Sequence, residues 1–285
     1  MREERPDASA LRFLVGYDLK TARENARVTQ AQAARHVGCT PAKLSYMESG
    51  KTAQSPDDVA ALMRFYAAEH EQVELTVSLA GRAGQGTLST KHGDVLPDWF
   101  KLFVGLERLA QAQFEYADKV IPGQIQTPEY ARALLGDSLH IPPMGTSQAV
   151  RARIDRQRVT DEQRPLKFSA VLEESVLDRM IGGTDVMADQ LRSLRKLMAL
   201  DHVELRVAPT AVGAHEGLPG SFILLSFAQA RGIAYVEYHI GALYLQDRAD
   251  VDLYTLTADR LMKRALSQED SVRVVTSRIE KLERE

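Results

Sequence analysis

The sequence contains one cysteine and no long apolar run, internal repeat or low-complexity tract. A single cysteine permits neither an internal disulfide nor a cysteine-rich zinc site. No apolar stretch reaches the roughly 20 residues that a membrane-spanning helix needs, and the N-terminal residues lack the pattern of a signal peptide. The 285 residues are 44% hydrophobic and 26% charged, as in ordinary globular proteins. We therefore expect a reduced cytoplasmic protein without membrane contact, and the length favours two domains.

The net charge of −3 conceals two neighbouring stretches of opposite sign. Residues 10–55 carry seven basic and three acidic side chains, a balance of +4, whereas residues 56–80 carry one basic and five acidic side chains, a balance of −4. The local sign decides whether a surface attracts phosphate, so the acidic total does not exclude a nucleic-acid partner.

The first 80 residues predict five helices. Apolar residues recur at helical spacing over 11–26, and two shorter helices are predicted over 30–37 and from Thr40 to about Ser49. A fourth helix begins after Ser55, and a fifth covers residues 69–79. The two short central helices, joined by a tight turn, have the layout of a helix-turn-helix, whose second helix lies in the major groove of DNA.

The residues around this turn suit a helix-turn-helix. Ala33 and Ala34 are small where the two helices approach closely, and Gly38 suits a left-handed helix end. The N-terminal face of the following helix lacks large apolar groups. The residues predicted to face the major groove or its walls are Thr40, Pro41, Ala42, Lys43, Ser45 and Tyr46.

Three short motifs follow one another in this region: T-Q-x-x-x-A-x-x-x-G from Thr29, T-P-x-x-L-S from Thr40, and M-E-x-G-K from Met47. With them, residues 11–66 resemble the Xre, or lambda-repressor-like, family of DNA-binding regulators. The resemblance implies that Arg23 pairs with Glu48 as a structural ion pair. It also implies DNA contacts from Gln30, Thr40, Ala42, Lys43, Ser45 and Tyr46, with Lys51 and Thr52 near phosphate.

The remaining chain changes in character. Residues 81–97 contain four glycines and indicate a linker. Helical patterns follow at 99–120, 127–135, 146–159, 185–199, 248–266 and 267–283, and strand-like segments lie at 166–174, 203–209, 221–227 and 233–238. The predicted fold class is an all-α five-helix helix-turn-helix domain (1–80), the linker, and a mixed α+β regulatory and dimerisation domain (98–285).

No catalytic or nucleotide-binding motif stands out in the second domain. The polar residues that merit testing as a site are Glu173, Glu174, His202, His215, Glu216, Glu237 and His239. A metal site built from His215, Glu237 and His239 is conceivable because imidazole and carboxylate suit zinc. Nothing in their spacing demands such a site, so ordinary loop and strand-edge roles are the favoured interpretation. We accordingly expect no enzyme activity, no metal and no cofactor.

Several segments of the second domain occur in the order seen in a narrower family. They include VIPGQIQTPEYARALL (120–135), RARIDRQ (151–157) and DVDLYTLTADRLMKRALSQEDS (250–271). These segments resemble the WhiJ-like regulators of filamentous bacteria. The resemblance implies a transcription regulator, often encoded beside a small partner protein and in some cases antitoxin-like.

The leading hypothesis is a homodimeric, nucleoid-associated regulator that binds double-stranded DNA sequence-specifically and whose second domain senses a partner protein or a small ligand. Two alternatives stay open. One is an antitoxin-like protein whose main role is to bind a small neighbouring protein. The other is an enzyme that uses the region of His215 and Glu237 and has a DNA-binding locator domain.

Overall fold

The computed structural model describes residues 8–85, 96–228 and 232–284. Chain contacts divide these residues into two compact units. Unit 1 comprises residues 8–85 together with 101–109, and unit 2 comprises residues 96–100 and 110–284 apart from the gap at 229–231. In this division residues 101–109 group with the first unit, whereas the predicted boundaries place them in the second domain. None of the described helices is both long enough and apolar enough to cross a membrane.

Unit 1 consists of helices. They are α1 (Ala8–Asn25), α2 (Gln30–His36), α3 (Pro41–Glu48), α4 (Pro56–Phe65) and α5 (His70–Gln85), with most of α6 (Asp98–Leu109). The fifth helix continues six residues beyond its predicted end, so residues 81–85 are helical rather than linker. The rest of the predicted linker, apart from residues 96 and 97, lies outside the described residues.

Local sequence explains where the short helices of unit 1 begin. Thr29 and Thr40 are extended N-cap residues, and the side-chain oxygen of each accepts a hydrogen bond from the backbone N–H three positions later. Gln32 completes a capping box by accepting from the backbone N–H of Thr29 at 2.9 Å. Pro41 occupies the first turn of α3, where a missing N–H has no cost.

Unit 2 is built on a six-stranded mixed sheet. Its strands are β1 (Ala112–Ala117), β2 (Lys167–Glu173), β3 (Val203–Ala208), β4 (Phe222–Ser226), β5 (Ile233–Tyr238) and β6 (Gly241–Leu245). Their order in the sheet is β3-β2-β1-β4-β5-β6. The pairs β1–β2 and β2–β3 are parallel, and the other three pairs are antiparallel.

Helices connect and cover this sheet. Because parallel neighbours need a crossover, α7 (Pro128–Gly136) and α8 (Thr146–Asp155) join β1 to β2, and α9 (Glu174–Asp178) and α10 (Thr184–Leu197) join β2 to β3. The chain continues after β6 with α11 (Arg248–Arg264) and α12 (Gln268–Leu282). Tyr116, Val171, Phe222 and Ala234 form a buried cluster with Ala258 and Leu261 of α11.

The predicted fold class is confirmed: a helical helix-turn-helix region precedes a domain with a mixed sheet and helices. One predicted helix needs correction, and one strand was missed. The helix predicted over 99–120 ends at Leu109, and residues 112–117 form the central strand β1. Strand β6 was not predicted, because the two-residue turn between Tyr238 and Gly241 has none of the Asn-Gly or Asp-Gly signals of a hairpin.

Candidate nucleic-acid interface

Helix α3 has two distinct faces. Leu44, Met47 and Glu48 are buried, whereas Pro41, Ala42 and Lys43 are exposed at the beginning of the helix. The side chain of Tyr46 lies on the outer side with 51% of its surface exposed. A helix that enters the major groove needs such a surface at its N-terminal end.

A buried ion pair fixes the inner side of α3. Arg23 of α1 donates to Glu48 through Nε at 2.6 Å and through Nη2 at 3.0 Å, so the pair is bidentate. Nη1 of the same guanidinium donates to the carbonyl oxygen of Val28 at 3.1 Å. The hydrogen bond to Glu48 raises the pKa of Arg23 further above its ordinary value. The structure therefore brings together the two residues that the family resemblance pairs.

Gln30 joins this ion pair as a third side chain. Its Nε2 donates to Oε2 of Glu48 at 2.8 Å, which ties the first turn of α2 to the end of α3. Sequence reasoning assigns Gln30 to DNA contact alone and misses this link. Glu48 thus receives hydrogen bonds from α1 and α2, and the angle between the two helices of the motif is fixed by a charged group.

Backbone proximity explains two glycines beside α3. A Cβ on Gly16 of α1 would lie 2.6 Å from the carbonyl oxygens of Met47 and Glu48. Gly50, with φ of +68°, would place a Cβ 2.9 Å from the Cα of Phe13. Helix α1 and the end of α3 therefore approach one another closely because neither glycine has a side chain.

Among the charged side chains of residues 10–55, most of the acidic ones are buried and most of the basic ones are exposed. Asp18 and Glu48 are buried, and Asp18 accepts a hydrogen bond from Thr76 at 3.1 Å. Glu24 is then the one exposed acidic side chain in the fully described residues 10–55. The exposed basic residues there are Lys20, Arg27, Arg35, Lys43 and Lys51. The exposed side chains of this region therefore keep the sequence balance of +4, because burial of the two carboxylates is offset by the buried Arg23 and the half-buried Arg12.

The residues predicted to contact DNA differ in which polar groups they leave exposed. The ammonium group of Lys51 lies 5.9 Å from the ring centroid of Tyr46, within the range of a cation–π contact. Thr40 Oγ1 accepts from the backbone N–H of Lys43 at 3.1 Å, and Ser45 is half-buried. Thr52, predicted to lie near phosphate, has its hydroxyl oxygen buried without a hydrogen-bond partner. Its side chain therefore offers no exposed hydroxyl in this conformation.

The polar residues singled out in the second domain do not assemble into the conceivable metal site. His215 Nε2 lies 3.2 Å from Glu173 Oε1, and that carboxylate also accepts from the Tyr116 hydroxyl at 2.8 Å. Glu237 instead accepts from the hydroxyl of Tyr235, and His239 lies in the turn after β5 rather than in the strand. Across the described ranges, no three His, Cys, Asp or Glu side chains are placed to hold a metal ion.

The other residues of that set make local contacts. Glu216 pairs with Arg260 and Arg264 of α11, and Glu174 pairs with Arg278 of α12 at 2.6 Å. A ring nitrogen of His202 lies 2.7 Å from the carbonyl oxygen of Val159. These contacts join loops to helices within unit 2.

Comparison with known families agrees with the geometry of α2 and α3. A model described as a helix-turn-helix domain matches residues 15–75, so unit 1 contains a helix-turn-helix domain, the class of fold that DNA-binding regulators use. A second model, described as a domain of unknown function (DUF5753), matches residues 100–277. Because this match spans more than half of the chain, the protein belongs to the DUF5753 family. Searches of curated proteins and of solved structures found no match.

Proposed function

We propose that the protein is a transcription regulator that binds double-stranded DNA sequence-specifically as a homodimer, in the cytoplasm at the nucleoid. The observation that carries the proposal is the outer surface of α3, which is polar and basic. The inner side of the same helix is held in place by the buried ion pair between Arg23 and Glu48. In this arrangement Pro41 and Ala42 offer apolar contact to thymine methyl groups, and Tyr46 offers a hydroxyl to base edges. Lys43 and Lys51 supply charge for phosphate.

The lysines and the hydroxyl groups of the proposed interface contribute differently to DNA binding. Lysines neutralise phosphates and release counterions, so they contribute affinity that falls with salt and is the same for every sequence. Hydroxyl groups donate and accept, so a tyrosine reads bases less restrictively than a bidentate arginine. We therefore propose moderate base specificity, supplemented by the shape of the DNA.

The first experiment is footprinting of the purified protein on the DNA upstream of its own gene, followed by titration of the protected site at several salt concentrations. Lys51→Ala is expected to weaken binding to specific and random DNA equally and to flatten the salt slope by about one unit. Lys281→Ala, which removes an exposed lysine from α12, is the matched control and is expected to leave the slope unchanged. Absence of any protected site, or equal effects of the two variants, contradicts the proposal.

Base reading is tested separately with Tyr46→Phe, which keeps the ring and removes the hydroxyl. Binding-site selection is run in parallel on the wild type and the variant. If the hydroxyl reads a base, the variant loses preference at one position of the site, by about 1–3 kcal/mol. Identical selected sequences exclude Tyr46 as a base reader and leave the helix-turn-helix assignment intact.

A further inference from the structure

Four consecutive helices of unit 1, α1 to α4, end in the same way. Past the end of each helix, two successive backbone N–H groups donate back to carbonyl oxygens of its last turn, which is the pattern of the Schellman motif. The first of these two residues has a left-handed conformation, with φ between +54° and +68°. It is Arg27 after α1, Gly38 after α2, Gly50 after α3 and Ala67 after α4. Glycine is the usual residue at this position because it has no Cβ, so α1 and α4 depart from the rule.

Arg27 is the less expected of the two departures. Ala67 shows that this fold tolerates a Cβ in the motif, so a positive φ by itself does not mark a site. Arg27 adds a long, exposed side chain whose guanidinium makes no hydrogen bond or ion pair with the residues that the structure describes. Nothing within the described chain therefore offsets the strain of its conformation, and strained residues often occur at functional sites.

The position of Arg27 relates it to the helix-turn-helix. The carbonyl oxygen of the next residue, Val28, accepts from Arg23, whose guanidinium pairs with Glu48 of α3. Gln30, at the start of α2, donates to the same carboxylate. The chain that follows Arg27 is therefore fastened to α3. In helix-turn-helix complexes the first helix of the motif crosses the DNA backbone while the second lies in the major groove. Arg27 thus precedes the helix that is expected to lie on the backbone.

We propose that the guanidinium of Arg27 binds a phosphate of the DNA backbone and that the left-handed conformation is retained for this contact. The inference rests on the proposed function, because the phosphate belongs to the DNA whose bases α3 reads. A guanidinium presents planar N–H donors that match two phosphate oxygens. The acidic residue nearest in sequence, Glu24, is exposed and has its carboxylate 3.4 Å from Arg23 instead. The side chain of Arg27 is therefore available to DNA.

The test of binding uses variants that change the guanidinium and keep a Cβ at this position. Binding to the footprinted site and to random DNA of the same length is titrated at several salt concentrations. Arg27→Ala is expected to weaken binding to both DNAs roughly fivefold to tenfold at about 0.1 M salt and to lower the salt slope by about one unit. Arg27→Lys retains the charge and is expected to retain the slope. Lys281→Ala, on α12, is the control and is expected to change neither quantity.

A second pair of variants separates DNA binding from stability. Arg27→Gly and Ala67→Gly relieve the same strain in the same motif, so both are expected to raise the midpoint of thermal unfolding, by roughly 2–4 °C. Arg27→Gly is also expected to weaken DNA binding and to lower the salt slope by about one unit. Ala67→Gly is expected to bind DNA as the wild type does. A gain of stability together with a loss of binding at position 27 supports a role of the arginine in binding DNA rather than in folding.

The possible failures are distinguishable. The proposal is overturned if Arg27→Ala keeps the wild-type salt slope, if Ala67→Gly or Lys281→Ala lowers the slope equally, or if Arg27→Gly is less stable than the wild type. A wild type that binds no DNA overturns both this inference and the proposed function. If the slope falls with Lys51→Ala but not with Arg27→Ala, only the contact of Arg27 is removed and the proposed function stands.

Discussion

Glu48 is the residue on which the geometry of the helix-turn-helix most depends. It is buried and charged, and burial of an isolated carboxylate is strongly unfavourable. Here the carboxylate accepts from Arg23 through two nitrogens and from Gln30 through one. The ion pair therefore fixes α1, α2 and α3 relative to one another.

Arg23→Ala is expected to destabilise the N-terminal unit by about 3–5 kcal/mol, because it leaves Glu48 buried without its charged partner. Chemical denaturation of the variant measures the loss. Arg23→Glu combined with Glu48→Arg is expected to recover part of the stability. Additive effects of the two single changes, with no coupling in the double-mutant cycle, contradict a direct interaction.

Gly38 and Gly50 have almost the same positive φ but different surroundings, so they form a matched pair. Gly38 has φ of +66° and an added Cβ meets no atom within 4 Å, so Gly38→Ala is expected to cost only about 1–2 kcal/mol. Gly50→Ala adds the overlap with the backbone of Phe13 and is expected to cost about 2–5 kcal/mol. Thermal unfolding of both variants compares them. If both variants lose the same stability, the close approach of Phe13 does not add to the cost of a side chain at position 50.

At the scale of elements, the edge of β3 shows how a helix protects a strand. Ser271 accepts from the N–H of Val207 and donates to the carbonyl oxygen of Ser267 at 2.8 Å. Gln268 accepts from Leu205 and donates to the carbonyl oxygen of Met198 at 3.0 Å. Short polar side chains of α12 therefore replace the strand that the sheet lacks on this side.

Ser271→Ala is expected to cost about 1–3 kcal/mol, because it leaves the N–H of Val207 buried without an acceptor. Native-state hydrogen exchange is expected to show faster exchange at Val207. Ser277→Ala, an exposed serine of the same helix, is the control and is expected to change neither quantity. Unchanged exchange at Val207 in the first variant shows that Ser271 does not protect this edge.

At the scale of the whole molecule, buried tyrosines set the response to alkaline pH. Burial raises the pKa of Tyr66, Tyr116, Tyr130 and Tyr235 above the ordinary value for a phenol. Hydrogen bonds to Glu173 and Glu237 raise the pKa of Tyr116 and Tyr235 further. In the unfolded chain these phenols ionise near pH 10. The native state holds its protons where the unfolded state releases them, so stability falls as pH rises above about 10.

Each of these tyrosines is expected to lower the free energy of unfolding by about 1.4 kcal/mol per pH unit above pH 10, up to its folded pKa. Denaturation measured at increasing pH gives the slope, and tyrosinate absorbance reports the ionisation. Tyr235→Phe is expected to reduce this slope by about 1.4 kcal/mol per pH unit, which corresponds to one proton fewer released on unfolding. A slope identical to that of the wild type removes Tyr235 from the groups that ionise only on unfolding.

Sequence patterns were enough to predict the helix-turn-helix and four of the six strands described after it, β2 to β5. Cap residues such as Thr29 and Thr40, the proline after Thr40 and the glycine between the helices act within a few residues, so their effect is visible in the sequence. The pairing of Arg23 with Glu48 came from family resemblance and not from spacing. The sequence also showed the basic balance around α3.

Tertiary structure alone decided the features that depend on distant neighbours. Residues 112–117 form a strand because β2 and β4 flank them, although their apolar pattern also suits a helix. Burial of Asp18 and Glu48 leaves Glu24 as the one exposed acidic side chain among residues 10–55, and Gln30 donates to Glu48 across 18 positions. His215 lies beside Glu173 rather than Glu237 because the loop before β4 lies at the ends of β1 and β2. Contacts between residues far apart in the chain follow from packing and strand order, which local spacing does not encode.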